Sequence, residues 1–195
     1  MDRVIISGAT GYIGIHLVEA LVKRHEVYAI VRKQSKLDKL KKYLSAEHII
    51  LLDDEERDFY QRIMEIKPEY FVHLAGKFIS NHSKNDISDL VESNYVTPVK
   101  MLDAICQAGC KNIINTGSYW QNYNGEPYNP VNLYAATKEA FLDMIKYYTE
   151  SMGCKCITLK LFDTYGPYDE RKKILNTICN IKEGDSLDMT SGEQK

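Results

Sequence analysis

Short apolar runs alternate along the chain with longer stretches in which apolar residues recur at helical spacing. The runs are rich in Ile, Val and Leu and cover residues 4–7, 27–31, 48–52, 70–74, 112–116 and 157–162. Continuous apolar runs of this length are typical of strands that are buried on both faces of a parallel sheet. The pattern therefore predicts βαβ units, and hence an α/β fold in which a doubly wound parallel sheet carries helices on both faces.

Amphipathic stretches between these runs predict the helices. Their apolar stripes contain Leu17, Val18 and Leu21; Phe59, Ile63 and Ile66; Val99, Leu102, Ile105 and Cys106; and Ala140, Phe141, Met144, Ile145 and Tyr148. Apolar side chains three or four positions apart share one face of a helix, so each stripe can pack on the sheet. The polar stretch 121–132 contains one Gly and two Pro and predicts a loop.

The composition is that of a globular protein and excludes several kinds of partner. The net charge of −2 gives no support to nucleic-acid binding, and no apolar run approaches the roughly 20 residues that span a bilayer. The five cysteines form no set with the spacing of a zinc site and indicate a reducing compartment. An apolar run already begins at Val4, so we expect no signal peptide and a cytoplasmic protein. From the spacing of the cysteines we expect no metal.

A glycine-rich turn follows the first apolar run and precedes the first helical stretch. Gly8 allows the tight turn, Gly11 lets the backbone approach a pyrophosphate, and Gly14 lets the helix pack closely on the strand. The N-terminus of the helix presents free N–H groups and the positive end of its dipole to the phosphate. The turn therefore predicts a dinucleotide-binding Rossmann domain. We expect the cofactor to contact Gly8, Thr10, Gly11, Tyr12, Ile13 and Gly14.

The end of the second run indicates which cofactor is bound. NAD-binding proteins usually place an acidic residue there, which bonds the 2′-OH of the ribose. This chain has Arg32 and Lys33 instead, and a guanidinium suits a bidentate grip on a 2′-phosphate. We therefore expect NADP(H) to be favoured over NAD(H), the alternative being two solvated surface cations. Asp53 comes at the end of the third predicted strand and either meets the adenine edge or serves as a loop residue or helix cap.

Tyr134 and Lys138 carry a second strong signal for function. Positions i and i+4 share one face of a helix, so the two side chains point the same way. An ammonium beside a phenol lowers the pKa of the phenol, which makes Tyr134 a proton donor or acceptor near neutral pH. Ligands bind beyond the carboxyl ends of parallel strands, where the fifth run places two hydroxyls, Thr116 and Ser118. Either hydroxyl can polarise a substrate oxygen next to Tyr134.

Together these motifs resemble the extended short-chain dehydrogenase/reductase family, whose members are sugar-nucleotide epimerases, dehydratases and reductases. The resemblance covers essentially the whole chain and includes the segments His73-Leu74-Ala75-Gly76, Asn94-Tyr95-Val96-Thr97-Pro98 and Leu161-Phe162-Asp163-Thr164-Tyr165-Gly166-Pro167. The last of these departs from the family pattern by having Asp163 in place of the usual Asn. The resemblance implies a catalytic group of Thr116, Tyr134 and Lys138, with Ser118 as the alternative hydroxyl. It also implies cofactor contacts at Leu74, Ala75, Gly76, Asn94, Tyr134 and Lys138.

Two departures from the family narrow the chemistry. Dehydratases of the family carry Asp-Glu straight after the catalytic Thr, whereas this chain has Gly117 and Ser118 there. Epimerases mostly hold NAD through an Asp at the end of the second strand, where this chain has Val31. What remains is a ketoreductase that consumes external NADPH. The run Asn129-Pro130-Val131-Asn132-Leu133-Tyr134, with the later segment 161–167, resembles the branch that contains CDP-abequose and CDP-paratose synthases, which reduce a 4-keto group on a CDP-linked dideoxy sugar. The alternatives are an NAD-dependent nucleotide-sugar 4-epimerase and a non-catalytic NAD(P)-binding regulatory protein.

The resemblance also implies a domain division and an assembly. Residues 1–168 are expected to form the NAD(P)-binding Rossmann domain, and residues 169–195 to begin a truncated sugar-binding region, since family members continue further. Family members pair two helices of each subunit across a two-fold axis. The corresponding helices here carry apolar side chains that we take to be spare, which predicts a homodimer: Leu90, Met101, Phe141 and Tyr148.

Overall fold

The computed structural model of the chain describes residues 1–52, 56–171, 173–182, 184 and 186. The chain divides into two compact units, Met1–Phe162 and Asp163–Lys195. The second unit contains one described helix, α6, at Ile174–Asn180. The predicted assignment of residues 169–195 to a sugar-binding region stays a prediction, and Asp53 lies outside the described residues.

A parallel sheet forms the centre of the first unit. Within the described residues it has six strands: β1 (Arg3–Ser7), β2 (Glu26–Arg32), β3 (Ile49–Leu52), β4 (Tyr70–His73), β5 (Asn112–Ser118) and β6 (Lys155–Leu161). Their order is β3-β2-β1-β4-β5-β6, and every neighbouring pair is parallel. The strand order therefore reverses between β1 and β4, and a crevice for a ligand is expected beyond the carboxyl ends of these two strands. The predicted doubly wound α/β fold is confirmed.

Helices connect the strands of the first unit. Their bounds are α1 (Tyr12–Leu21), α2 (Glu56–Ile66), α3 (Ile87–Val91), α4 (Thr97–Gln107) and α5 (Leu133–Met152). A π-helical turn at Glu92–Val96 joins α3 to α4, where Pro98 has no backbone N–H to continue an ordinary helix. In the described part of the chain, no helix combines the length and the apolar character needed to cross a membrane.

The two faces of the sheet belong to two separate hydrophobic cores. Ile5 of β1 packs in the core that contains buried side chains of α2, α4 and α5. Its neighbours Val4 and Ile6 point to the opposite face and pack in the core that contains Val18 of α1. This alternation is the period of two that a strand imposes, so the helices of the first unit cover both faces, as predicted.

The side chains on which we based the homodimer are not spare. Leu90, Met101, Phe141 and Tyr148 are all buried within the single chain, with Leu90 fully inaccessible to solvent. Met101, Phe141 and Tyr148 belong to the chain's own core, since the helices that carry them pack on one another and on the sheet. That interpretation of the sequence was wrong, and a homodimer stays a prediction without these residues in its support.

Candidate active site

The glycine-rich turn lies where β1 meets the segment that follows β4. Gly8 has a φ of +73°, which favours glycine, and a Cβ added there would lie 2.6 Å from the backbone nitrogen of Ala75. A Cβ added to Gly14 would collide with the carbonyl oxygen of Gly8. Gly11 donates its N–H to that same carbonyl over 3.0 Å, which closes the turn. Gly8 and Gly14 therefore have the predicted roles in the tight turn and in close packing, while the approach of a pyrophosphate at Gly11 stays a prediction.

This turn fits the pyrophosphate of a dinucleotide. Gly11 is the N-cap of α1, and within the described residues no side chain caps that helix. The first N–H groups of a helix have no partner inside the helix, and the dipole places partial positive charge beside them. Thr10 is exposed at the turn, whereas Tyr12 and Ile13 in the first turn of the helix are half-buried. An NAD(P) molecule would therefore be held here by backbone groups more than by side chains.

The segment after β4 runs beside this turn and beside Lys138. Leu74 continues the strand pairing by donating its N–H to the Ser7 carbonyl over 3.1 Å. At Gly76, an added Cβ would lie 3.1 Å from Lys138 Nζ and 3.4 Å from Asn94 Oδ1. A side chain at Gly76 would therefore crowd the Lys138 ammonium, and glycine leaves the space beside it clear.

Asn94 holds this segment in place. Its Oδ1 accepts the Lys77 N–H over 2.7 Å, and its Nδ2 donates to the Lys77 carbonyl over 2.9 Å and to Thr137 Oγ1 over 3.2 Å. The side chain is buried within the π-helical turn and so ties the chain after β4 to α5. These bonds give Asn94 a structural role, and its predicted contact with the cofactor stays a prediction.

Lys138 is buried beneath the carboxyl edge of the sheet. Its Nζ donates to the carbonyl oxygens of Thr116, over 3.1 Å, and of Ala75, over 3.3 Å. Burial lowers the pKa of Lys138 to about 8, because the charged form loses hydration. An ammonium has three N–H donors, so one donor remains for a ligand.

Tyr134 lies four residues earlier, in the first turn of α5. That turn is fixed by Asn132, whose Oδ1 accepts the Ala135 N–H over 2.9 Å as an N-cap. The hydroxyl of Ser118 interacts with the Tyr134 hydroxyl and lowers the pKa of Tyr134, but burial raises that pKa by more. The net shift is upward. The predicted lowering of this pKa by Lys138 was wrong for the chain on its own, because burial of the phenol dominates.

The structure separates the two hydroxyls that the sequence offered as partners of Tyr134. Thr116 and Ser118 are two positions apart on β5 and so face the same side of the sheet. Thr116 is buried, and its hydroxyl donates to the His73 carbonyl over 2.9 Å. Ser118 is the last residue of the strand and reaches Tyr134. The geometry therefore brings Ser118, the alternative hydroxyl, into contact with the phenol. Thr116 lies two residues earlier on β5 and is buried.

Two residues of the site were not predicted as functional. Gln121 is fully buried, accepts the Ser118 N–H at its Oε1 over 2.6 Å, and donates from Nε2 to Glu139 Oε2 over 2.6 Å. The pattern Ser118-x-x-Gln121 is a capping box, and this signal in the sequence marks the start of the helical turn at Tyr119–Gln121. The sequence stretch beginning at 121 was assigned to a loop, which concealed the role of its first residue.

Of the residues predicted to contact the adenosine half of the cofactor, the structure describes Arg32. Arg32 is the last residue of β2, and its backbone is held in a turn by Ser35, whose Oγ accepts the Arg32 N–H over 3.1 Å. The Arg32 side chain is exposed. This places the guanidinium at the carboxyl edge of the sheet. The proposed adenine contact at Asp53 falls outside the described residues.

Comparison with known proteins extends this picture. CDP-abequose synthase from Yersinia pseudotuberculosis is 26% identical to the chain over 99% of it and 67% of the relative. The enzyme of the same name from Salmonella typhimurium is 30% identical over 99% of the chain and 64% of the relative. The chain thus spans about two thirds of the length of these curated relatives.

Solved structures give the same fold. UDP-N-acetylglucosamine 4-epimerase from Methanobrevibacter ruminantium matches with a TM-score of 0.71 and 25% identity, over 85% of this chain and 56% of that protein. UDP-glucose 4-epimerase from Thermus thermophilus, in complex with NAD, matches with a TM-score of 0.62 and 25% identity, over 81% and 54%. The model of the NAD dependent epimerase/dehydratase family matches residues 4–195, so the chain belongs to that family.

Proposed function

We propose that the protein is an NADPH-dependent reductase of a 4-keto sugar carried on CDP. The observation that carries this proposal is the interaction of the Ser118 hydroxyl, at the carboxyl end of β5, with the Tyr134 hydroxyl on the helix that also carries the buried Lys138. Similarity to CDP-abequose synthases over 99% of the chain supports the substrate class. The same fold supports many chemistries, so these side chains support the proposed reaction more strongly than the fold does.

The reaction adds a hydride to the carbonyl carbon and a proton to the carbonyl oxygen. NADPH supplies the hydride when it is bound. Tyr134 donates its phenolic proton to the oxygen as negative charge develops there, and the Ser118 hydroxyl donates a hydrogen bond to the same oxygen. The phenolate that remains on Tyr134 is stabilised by the Lys138 ammonium and then recovers a proton from solvent.

The pKa of Tyr134 supports the reductive direction. Burial keeps the phenol protonated near neutral pH, which is the form that a proton donor needs. An enzyme that first oxidises an alcohol needs the phenolate instead. Lys138, with a pKa of about 8, keeps a large protonated fraction at neutral pH and can stabilise the phenolate once it forms.

The 4-epimerase is the second candidate, because structures of two 4-epimerases match the chain at 25% identity and one of them contains NAD. The two candidates differ in what happens to the cofactor. An epimerase returns the hydride to the sugar and retains its NAD through dialysis, whereas a reductase consumes external NADPH.

The proposed activity is tested by mixing the full-length protein with NADPH and a panel of 4-keto sugars on CDP, UDP and dTDP. We expect loss of NADPH absorbance with the CDP-linked sugar, with one sugar alcohol formed per NADPH oxidised. Unchanged NADPH with every member of the panel, together with NAD that survives dialysis, would favour the epimerase.

The Arg32→Asp variant is expected to reverse the cofactor preference. The substitution removes a charge-assisted bond to the 2′-phosphate, places a repelling carboxylate there and offers an acceptor for a ribose 2′-OH. Because Arg32 is exposed, we expect a loss of roughly tenfold in NADPH affinity, at the lower end for bonds to charged groups. Fluorescence titration of NADPH and NADH measures both affinities.

Lys36→Asp changes the net charge equally and serves as the control. If the unmodified protein binds NADH at least as well as NADPH, the role given to Arg32 is wrong.

A further inference from the structure

We propose that Gln121 and Glu139 are positioning residues that hold Ser118 against Tyr134. The inference rests on the proposed function for the roles of Ser118 and Tyr134, and it concerns the contacts that keep these two hydroxyls together. Neither Gln121 nor Glu139 reaches the reacting atoms in this scheme. They act through the backbone of Ser118.

The contacts form a bridge from the end of β5 to the helix that carries the proton donor. The side-chain amide of Gln121 accepts the Ser118 N–H over 2.6 Å and donates to Glu139 over 2.6 Å. Glu139 follows Lys138 directly on α5 and lies five residues after Tyr134. The bridge therefore joins the segment of the catalytic hydroxyl to the helix of the catalytic tyrosine by two short bonds.

The same turn also sets the direction of the Ser118 hydroxyl. Ser118 Oγ accepts the Trp120 N–H over 3.3 Å, as the other part of the capping arrangement at this turn. Because that bond uses a lone pair of the oxygen, the hydroxyl proton remains for Tyr134 or for a substrate oxygen. Both the backbone and the side chain of Ser118 are thus fixed from within the turn.

The buried amide has the features of a precise support rather than of core filling. Gln121 is fully buried, and a buried amide is costly unless its polar atoms are bonded. Room for it depends on Gly117, where an added Cβ would lie 2.5 Å from Gln121 Oε1. An apolar side chain would fill the same space without that cost. The amide is therefore best explained by the two bonds that it makes.

Glu139 fixes which way the amide faces. A carboxylate only accepts hydrogen bonds, so the NH₂ group of Gln121 must point to Glu139 and its oxygen to Ser118. Lys160 Nζ lies 3.8 Å from Glu139 Oε2 and also bonds to Asn122, so a cation lies beside the Glu139 carboxylate. The bond from Gln121 is therefore charge-assisted and stronger than one between neutral groups.

The test uses the order of hydrogen-bond donors and acceptors in the bridge, in which Gln121 accepts from Ser118 and donates to Glu139. In Gln121→Glu, two carboxylates face each other and the bridge breaks. In the double variant Gln121→Glu with Glu139→Gln, the carboxylate still accepts the Ser118 N–H and the new amide donates to it, so both bonds are restored. Glu139→Ala provides a second way to break the bridge should Gln121→Glu fail to fold, because Glu139 lies nearer the surface, with 18% of its side chain exposed.

The first readout needs neither cofactor nor substrate. NMR of chains labelled with ¹³C at the tyrosine ring carbon that bears the hydroxyl follows the titration of Tyr134, and Tyr134→Phe assigns its resonance. Since the bond from Ser118 lowers the pKa of Tyr134, breaking the bridge should move that titration to higher pH, and the double variant should return it. Gln107→Glu is the matched control. It places a carboxylate against Asp103, which Gln107 now bonds over 2.6 Å, at a place away from the site.

The second readout is turnover of the full-length protein. Gln121→Glu and Glu139→Ala should each lower kcat roughly tenfold with little change in KM, the effect of losing about one net hydrogen bond, and the double variant should recover most of it.

The inference is overturned if the Tyr134 titration of folded Gln121→Glu or Glu139→Ala matches that of the unmodified chain, or if the double variant behaves like Gln121→Glu. Absence of ketoreduction by the unmodified protein would count against the proposed function, and the titration would still decide whether the bridge positions Ser118.

Discussion

Replacing Tyr134 by Phe is expected to lower kcat for ketoreduction by roughly 10²–10⁴-fold, the contribution of a side chain placed to donate a proton. The substitution removes one hydroxyl and keeps the ring, whose centroid lies 5.0 Å from that of Phe78 in an edge-to-face contact. Packing should therefore change little. NADPH affinity should also stay close to that of the unmodified protein, because the turn around Gly8 and Gly14 lies elsewhere. Steady-state assays and a fluorescence titration of NADPH measure the two quantities.

Tyr128→Phe is the matched control for this variant. Tyr128 lies in the polar stretch before α5 and is 67% exposed, so loss of its hydroxyl should leave kcat unchanged. If Tyr134→Phe retains full activity, Tyr134 is not the proton donor. If it loses NADPH binding in proportion to kcat, the hydroxyl contributes to cofactor binding rather than to proton transfer.

The second large effect is expected at Ser118. Ser118→Ala removes the hydroxyl that contacts Tyr134, and a hydrogen bond to developing charge contributes about 1.5–3 kcal/mol, so kcat should fall roughly 10–100-fold. Thr116→Val is the comparison. It replaces a hydroxyl bonded to the His73 carbonyl, so it should lower the free energy of unfolding by about 1 kcal/mol and leave kcat within a few-fold.

Comparing Ser118→Ala with Thr116→Val therefore distinguishes an effect on catalysis from an effect on stability. Urea denaturation gives the free energy of unfolding of each variant, and initial rates with saturating NADPH give kcat. A larger loss of kcat in Thr116→Val than in Ser118→Ala would restore Thr116 as the catalytic hydroxyl. It would also mean that the contact between Ser118 and Tyr134 does not persist when substrate is bound.

Much of the fold could be predicted because its signals are local. The apolar runs coincide with the strands to within a few residues, and the glycine turn needs nothing beyond its own backbone geometry and the neighbouring strand. Ile87, Leu90, Val91 and Tyr95 have helical spacing, but the bounds of α3 could not be predicted, because the π-helical turn at Glu92–Val96 shifts the phase before α4 begins. Local pattern alone cannot detect such a change of register.

The errors at the site have tertiary causes. Thr116 and Ser118 point to the same side of β5, so only the position of α5 decides which one meets Tyr134. The pKa of Tyr134 depends on burial, which a spacing of four residues on a helix does not reveal. The dimer prediction treats Phe141 as spare although it belongs to the apolar stripe of its own helix, and it is buried once the helices pack.

Transfer of a labelled hydride tests most directly whether this protein reduces a 4-keto sugar on CDP with NADPH. The full-length protein is mixed with NADPH that carries deuterium at the transferable position of the nicotinamide and with the CDP-linked 4-keto sugar. We expect one deuterium at C4 of the sugar product for each NADPH oxidised, with transfer slowed by roughly 10²–10⁴-fold in Tyr134→Phe. A sugar product without deuterium, formed while external NADPH is not consumed, would contradict the account.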